Sequence, residues 1–218
     1  MKFRRKGSEE TEATEQAGAE SAEGVGDAAA APRAQGPWDV SERDVPDEPN
    51  VVDLGSLVLR LQEGLELQLQ VDERSEQVVA AVLAHEEGAL ELRAFAAPRH
   101  GDIWDDVRRE IAAEVTRRGG TATEAEGPWG TELRVVLNVS TPDGRTGSQP
   151  SRVFGIAGPR WLLRATLFGK PALDPDDDGL IETALRDVVV RRGTAPHAPG
   201  EPLPLTVPGG LVQPPTEV

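Results

Sequence analysis

Cysteine is missing from this sequence, and so are long apolar runs. Without cysteine, disulfides, thiolate nucleophiles and cysteine-ligated zinc are excluded. No stretch of 18 consecutive apolar residues occurs, so the sequence predicts no membrane-spanning helix. The basic start, residues 1–6, runs into Gly-Ser-Glu-Glu rather than into an apolar segment, which argues against a signal peptide. We therefore expect a cytoplasmic protein.

Positive charge is also scarce. Lysine and arginine together number 23 against 38 acidic residues, which gives a formal net charge of −15. The one cationic cluster lies within residues 2–6, and no longer segment is basic. Non-specific nucleic-acid binding depends on Lys and Arg displacing phosphate counterions, so we predict no nucleic-acid partner.

Composition divides the chain into three parts. Residues 1–36 are mostly Ala, Glu, Gly and Ser, and such a stretch buries too little apolar surface to offset its chain entropy. Residues 194–218 contain seven prolines and predict an extended, polyproline-like tail. We therefore expect a disordered acidic arm over residues 1–36, a single domain over 37–193 and a Pro-rich extended tail over 194–218.

Within the domain the apolar residues first recur with a period of two. Leu65, Leu67, Leu69 and Val71 alternate with polar residues, which is typical of a half-buried strand. Together with residues 54–61, 78–83 and 90–96 this segment predicts a four-stranded antiparallel meander. A second set of four strands is predicted over residues 121–126, 131–140, 151–157 and 161–168, with a turn at residues 141–144.

Each set of strands is followed by a helical pattern. Trp104, Val107, Ile111 and Val115 recur every three to four residues, with Asp102 placed to cap the start and Gly119 to end the helix. Residues 176–189 show a similar apolar stripe. The sequence therefore predicts an α+β fold in the order β4-α-β4-α, with both helices packed on one face of antiparallel sheet.

The clearest ligand-binding pattern lies before the second helix. Asp174, Asp176 and Asp178, followed by Gly179, match the opening of a calcium-binding loop. The twelfth loop position is Leu185 instead of the bidentate Glu that calcium requires. The alternative is that these acids complement the dipole of the following helix. Because we find no catalytic motif, cofactor motif or metal-ligand spacing of histidines, we expect a protein that is not an enzyme and needs no cofactor.

Two residue types remain as binding candidates. Three tryptophans follow Gly-Pro corners, where they either complete the edge of the core or line a groove. Arginines recur along the predicted strands. They either pair with Glu66, Glu91 and Glu132 across strands, or they form a cationic patch that binds carboxylates or phosphates. The candidates for binding are Trp38, Arg93, Trp129, Arg134, Arg160, Trp161 and Arg164, with Arg60 and Arg152 in the same strand pattern.

Several short sequence segments resemble those of a known family. They include Gly36-Pro37-Trp38-Asp39, Trp104-Asp105-Asp106-Val107-Arg108, Gly127-Pro128-Trp129-Gly130 and Gly158-Pro159-Arg160-Trp161. In combination over about residues 36–207 they resemble an actinobacterial family, domain of unknown function 3710. The resemblance implies a small intracellular protein and brings no activity, cofactor or site residue. The predicted architecture is also similar to small binding folds of the Mog1/PsbP kind, which is an analogy of fold alone.

Two hypotheses about function follow from these observations. The first is a non-catalytic binding or assembly protein that engages another protein through an open sheet face, an edge strand or the Pro-rich tail. The second is a binder of a small anionic ligand, or a cryptic enzyme, that uses the strand arginines and a Trp-lined cleft. The sequence leaves the oligomeric state open.

Overall fold

The computed structural model describes residues 34–140 and 146–208. Most of the predicted N-terminal arm, the turn at residues 141–144 and the last ten residues of the predicted tail lie outside this range. The elements, in chain order, are β1 Trp38–Asp39, β2 Val51–Asp53, β3 Leu57–Arg60, β4 Glu66–Asp72, β5 Gln77–His85, β6 Gly88–Ala96, α1 Trp104–Arg117, β7 Thr121–Gly127, β8 Gly130–Ser140, β9 Thr146–Gly158, β10 Trp161–Gly169, α2 Lys170–Leu173, α3 Leu180–Asp187 and β11 Val189–Val190.

A large sheet of seven antiparallel strands organises the described residues, in the order β4-β5-β6-β10-β9-β8-β7. It consists of two meanders that join where β6 pairs with β10, with Arg93 opposite Arg164 in the register. The predicted α+β class, with antiparallel strands and a few helices, is confirmed. The exact β4-α-β4-α order is wrong, because a second sheet and the short helix α2 interrupt it.

The first meander has three strands rather than the predicted four. Residues 57–60 form β3, which belongs to a separate four-stranded sheet in the order β1-β11-β3-β2. Leu57, Val58 and Leu59 are all buried, so this short strand is covered on both of its faces. Such a continuous apolar run carries no alternation that would assign it to one sheet or the other.

The two main helices lie on opposite faces of the large sheet, which corrects the prediction that both pack on one face. Apolar residues of α3 cluster with Leu163 of β10, whereas those of α1 cluster with the neighbouring Leu162. Consecutive strand residues point to opposite faces. Both leucines are fully buried, so the sheet is covered on each side at this point.

One face of the large sheet, the packed face, carries most of the core. Beside α3, it packs against Leu54, Leu57 and Leu59 at the small sheet and against Leu203 and Leu205 from the C-terminal segment. The last two residues lie in the segment predicted as a tail. The segment is extended, but its leucines are buried within the core instead of projecting from it.

The C-terminal segment reaches the core by pairing with the end of β6. Strand β5 pairs with β6 only as far as Leu92. Beyond that point the N–H of Leu203 donates to the carbonyl of Ala94, and the N–H of Ala96 donates to the carbonyl of Glu201. The C-terminal segment therefore enters between the start of β5 and the end of β6, where those two strands no longer pair.

The opposite face, the half-covered face, is covered by α1 mainly over β7, β8 and β9. The helix starts where Asp102 accepts a hydrogen bond from the N–H of Trp104 at 2.9 Å. It ends before Gly119, whose φ of 74° suits glycine. Gly155 of β9 allows close packing at the helix start, because a Cβ there would overlap the Trp104 ring.

Candidate functional site

A groove lies on the half-covered face, between α1 and strands β8, β9 and β10. Its volume is about 490 Å³, which falls within the range of about 300–1,000 Å³ typical of ligand pockets. The apolar residues that line it are Ile111, Val115, Val135, Leu137, Val153 and Phe168. Two hydroxyl groups, on Ser151 and Thr166, and several charged side chains complete the lining.

The alternation of β10 supplies one wall of this groove. Arg164, Thr166 and Phe168 line it, while Leu163 and Leu167 point into the core of the packed face. The opposite wall is the side of α1, where Ile111 and Val115 continue the apolar stripe. The charged residues of α1 lie along the rim at helical spacing: Glu110, Glu114, Arg117 and Arg118. The groove therefore combines an apolar floor with an arginine on the sheet side.

Arg164 belongs to a group of three charged residues, which we call the open triad: Glu91, Arg93 and Arg164. Arg93 lies directly opposite Arg164 on β6. Its Nε donates to Oε1 of Glu91 at 2.9 Å, and its Nη2 donates to the Gln70 side chain at 3.1 Å. Nη2 of Arg164 is 3.9 Å from the same Glu91 oxygen, too far for a hydrogen bond. One carboxylate therefore serves two guanidinium groups.

The environment of Arg164 disfavours its charge. Burial lowers the pKa of the guanidinium, the positive charge of Arg93 lowers it further, and Glu91 partly offsets both effects. The side chain keeps 23% of its exposure and lies over the Phe95 ring, 5.5 Å from its centroid. Arginine stays protonated in proteins, so this residue presents a partly desolvated positive charge beside the groove.

A second group, the closed triad, repeats the same pattern on the packed face: Glu132, Arg134 and Arg152. Both triads begin with Glu-Leu-Arg on one strand, and both take a second arginine from the position opposite the first. In the closed triad, Glu132 is fully buried. It accepts two hydrogen bonds from Arg152, at 3.0 and 2.8 Å, and one from Arg134 at 3.2 Å.

The tryptophan candidates lie away from the groove. Trp161 is fully buried and donates from Nε1 to Asp39 at 2.6 Å. Trp129 packs edge-on against Phe154 and donates to the carbonyl of Gly36 at 2.8 Å. Trp38 is half-buried in β1, with the guanidinium of Arg43 5.7 Å from its ring centroid. In the described residues no groove brings Trp129 or Trp161 together with Arg93 and Arg164.

The remaining arginine candidates are separated from one another. Arg60 of the small sheet pairs with Glu48 at 2.6 Å. Arg160 occupies the turn between β9 and β10 with a positive φ of 61°, and its carbonyl accepts from the side chain of Arg192. Of the two alternatives for the strand arginines, a single patch does not describe the structure, in which Arg93 and Arg164 stand side by side on the half-covered face while the other candidates lie apart from them.

The predicted calcium-like residues precede α3. The carboxylate of Asp176 accepts from the N–H of Asp178 at 3.1 Å, and its carbonyl accepts from the N–H of Gly179. Over residues 34–140 and 146–208, no three acidic or histidine side chains are placed to hold a metal ion. The contacts of Asp176 are those of a turn that leads into α3, whose start has no side-chain cap.

Sequence reasoning missed the walls of the groove, namely the hydroxyls of Ser151 and Thr166 and the arginines that end α1. The repeated Glu-Leu-Arg string was the available signal. It could not be interpreted without the sheet order, which brings β10 next to β6 across more than 60 residues of chain.

The fold and the groove define a class: an α+β protein with one packed sheet face and one face left partly open beside a helix. The chain belongs to the family described as "Protein of unknown function (DUF3710)", whose model matches residues 36–214. This confirms the resemblance found in the sequence, while the actinobacterial origin stays a prediction.

Curated proteins and solved structures add little to this family assignment. No curated protein matches the chain significantly. Among solved structures, the chain is similar to the solution structure of cyanobacterial PsbP from Synechocystis sp. PCC 6803. The sequence identity is 12%, the match covers 62% of this chain and 86% of that one, and the TM-score is 0.35. No helix among the described residues is both long and apolar enough to cross a membrane.

Proposed function

We propose that this protein is a non-catalytic binding module that holds a segment of a partner protein in the groove beside α1. The observation that carries the proposal is the groove itself, which has an apolar floor and a rim of charged residues. Grooves of this form bind amphipathic segments: apolar side chains fill the floor, and charged groups at the rim set the orientation.

The charges at the rim favour a partner segment over a wholly apolar ligand. Glu110 and Glu114 lie on the helix side, whereas Arg117 and Arg118 lie at the helix end and Arg164 lies on the sheet. A segment with apolar residues on one side and charges of both signs on the other would match this arrangement. Electrostatic complementarity of this kind contributes specificity and association rate.

The absence of cysteine allows a direct test. A photo-crosslinker attached to Arg118→Cys would stand at the rim, and the matched control Arg74→Cys would stand in the exposed β4–β5 turn. The labelled proteins are purified and added to cell lysate, and we expect one partner protein to be cross-linked from position 118 and not from position 74. Equal capture from both positions would contradict the proposal.

The captured protein is then purified and titrated against the domain. We expect Leu137→Asp, at the groove floor, to weaken binding at least tenfold, because a carboxylate would replace an apolar contact. Leu173→Asp is the matched control, since Leu173 is 71% exposed on α2. Circular dichroism and thermal unfolding check that both variants are folded. Unchanged affinity in Leu137→Asp would place the interface elsewhere.

A small amphipathic anion is the second candidate, because the groove has a suitable volume and a partly desolvated arginine. Native mass spectrometry of the protein purified from its own cells distinguishes the two. A bound small molecule that is lost in Leu137→Asp, without any protein adduct from position 118, would favour the ligand and overturn the partner.

A further inference from the structure

The open triad contains two arginines and one glutamate, so it has one unbalanced positive charge, and both of its arginines are partly buried. Two guanidinium groups stand directly opposite each other on neighbouring strands, and like charges in this position repel. Glu91 neutralises one of them and is hydrogen-bonded to Arg93. Among the described residues, no other carboxylate is recorded within 4 Å of Arg164.

In the closed triad, which has the same excess charge, the buried arginine is fully matched by the glutamate, and the extra charge lies on Arg134, whose side chain is 55% exposed to water. There the arginine on the opposite strand, Arg152, takes both oxygens of the glutamate and is 6% exposed. It also donates to the carbonyl of Pro171 and lies over the Phe154 ring. Arg164 has the matching ring contact with Phe95, but it lacks the two carboxylate hydrogen bonds.

We infer that the open triad is the anion-binding subsite of the groove, where Arg164 receives a carboxylate from the bound segment. This rests on the proposed function for the nature of the occupant. The subsite adjoins the apolar floor at Phe168 and Thr166. The occupant is therefore a segment in which an acidic residue lies within a few residues of apolar ones.

The charge balance selects a carboxylate over a phosphate. Two arginines and one glutamate leave a single net positive charge, which a carboxylate cancels. A dianionic phosphate would leave a net negative charge in this half-buried site, where desolvation disfavours an unmatched charge. The planar guanidinium can form paired hydrogen bonds with the two carboxylate oxygens.

Octanoate is a suitable probe, since it joins a carboxylate to a short apolar chain. Binding is followed through the NMR signals of the arginine Nε–H groups in the full-length protein. We expect octanoate to shift the Arg164 signal and to bind at least fivefold more weakly to Arg164→Gln. The matched control is Arg134→Gln, the exposed arginine of the closed triad, which should bind octanoate as the unaltered protein does.

A neutral probe, 1-octanol, separates the carboxylate from the chain. It should bind equally to the unaltered protein and to Arg164→Gln. The inference is overturned if octanoate does not bind, if Arg164→Gln binds it equally well, or if Arg134→Gln loses as much affinity as Arg164→Gln.

The outcomes separate this inference from the proposed function. If octanoate behaves as expected while position 118 captures no protein, the subsite stands and the protein partner is wrong. If a partner is captured and bound through Leu137, but octanoate binding is the same in Arg164→Gln, the anion subsite alone is wrong.

Discussion

The closed and open triads contain the same three residue types in the same strand geometry, yet they lie on opposite faces of one sheet. On the packed face, burial requires the charges of Glu132 and Arg152 to be matched, and paired hydrogen bonds match them, whereas Arg134 bonds to the same glutamate but is 55% exposed. On the half-covered face, water and the groove relax that requirement, and Arg164 remains 3.9 Å from its carboxylate. The comparison identifies Arg152 as the arginine that maintains the fold and Arg164 as the arginine for which we propose a binding role.

The largest effect should come from breaking the closed triad. Glu132→Leu leaves Arg152 charged and buried without a carboxylate, so we expect a loss of about 3–5 kcal/mol in the free energy of unfolding, measured by urea titration. The double variant Glu132→Leu with Arg152→Met should recover most of this loss. The equivalent change in the open triad, Glu91→Leu, should cost about 1 kcal/mol or less, since both of its arginines retain exposure. Equal losses from the two glutamates would remove the distinction between the triads.

The covering of the packed face by the C-terminal segment can be tested separately. Leu203 is 3% exposed, so Leu203→Ala should cost about 2–5 kcal/mol, as do other buried leucine truncations. Val207→Ala is the control in the same segment, because Val207 is 40% exposed and should change stability by about 0.5 kcal/mol or less. If the two changes had equal effects in urea unfolding, the segment would not be part of the core in solution.

Removing the arginine of the open triad should change stability much less. Arg164→Gln eliminates the repulsion with Arg93 but also loses packing on Phe95, and we expect the two to leave the free energy of unfolding within about 1 kcal/mol of its original value. Differential scanning calorimetry measures this. A loss as large as that of Glu132→Leu would make Arg164 a structural residue.

The smallest effect concerns an ion pair outside both triads. Lys170 lowers the pKa of the Glu87 carboxyl, and Glu87 in turn raises the pKa of Lys170, through a hydrogen bond of 2.8 Å. A lowered carboxyl pKa stabilises the fold above about pH 4.5, and this stabilisation is lost as pH falls through the lowered value. The raised amine pKa stabilises the fold below about pH 10.5.

The unaltered protein should therefore exceed Lys170→Gln slightly in melting temperature at pH 7, and the difference should shrink at pH 3. A difference that grows in acid would show the opposite sign of linkage. Because both side chains are exposed, salt should reduce the effect as well.

The sequence predicts the individual helices and strands better than it predicts how they pack together. The alternation in β4 and the helical spacing in α1 were sufficient for those elements, because each buries one side. Strand β10 was recognised as a strand, but Leu162 and Leu163 are both buried, so its pattern does not indicate which helix covers which face. The prolines around Leu203 favour an extended backbone and say nothing about whether that backbone is packed.

For the candidate site too, the sequence indicates local pairings of side chains better than it indicates where they lie in the fold. One of the two alternatives paired the strand arginines with Glu66, Glu91 and Glu132 across strands. In the structure Arg152 bonds to Glu132 across strands, whereas Arg93 bonds to Glu91 within its own strand. The sequence could not show that the two pairs lie on opposite faces. Nor could it show that Trp129 and Trp161 pack on the packed face, where Trp161 bonds to Asp39 across 122 residues of sequence.

The small sheet has a consequence for synthesis of the chain. Strand β1 pairs in parallel with β11, and β11 in turn pairs with β3, so residues 38–60 acquire these partners only when residues 189–190 have been made. During translation, Leu57 and Leu59 leave the ribosome well before the strand that covers them. Contacts between segments so distant in sequence form slowly, and until they form the nascent chain exposes apolar surface. This protein should therefore depend on chaperones more than its size suggests, and it should complete its fold in one late step.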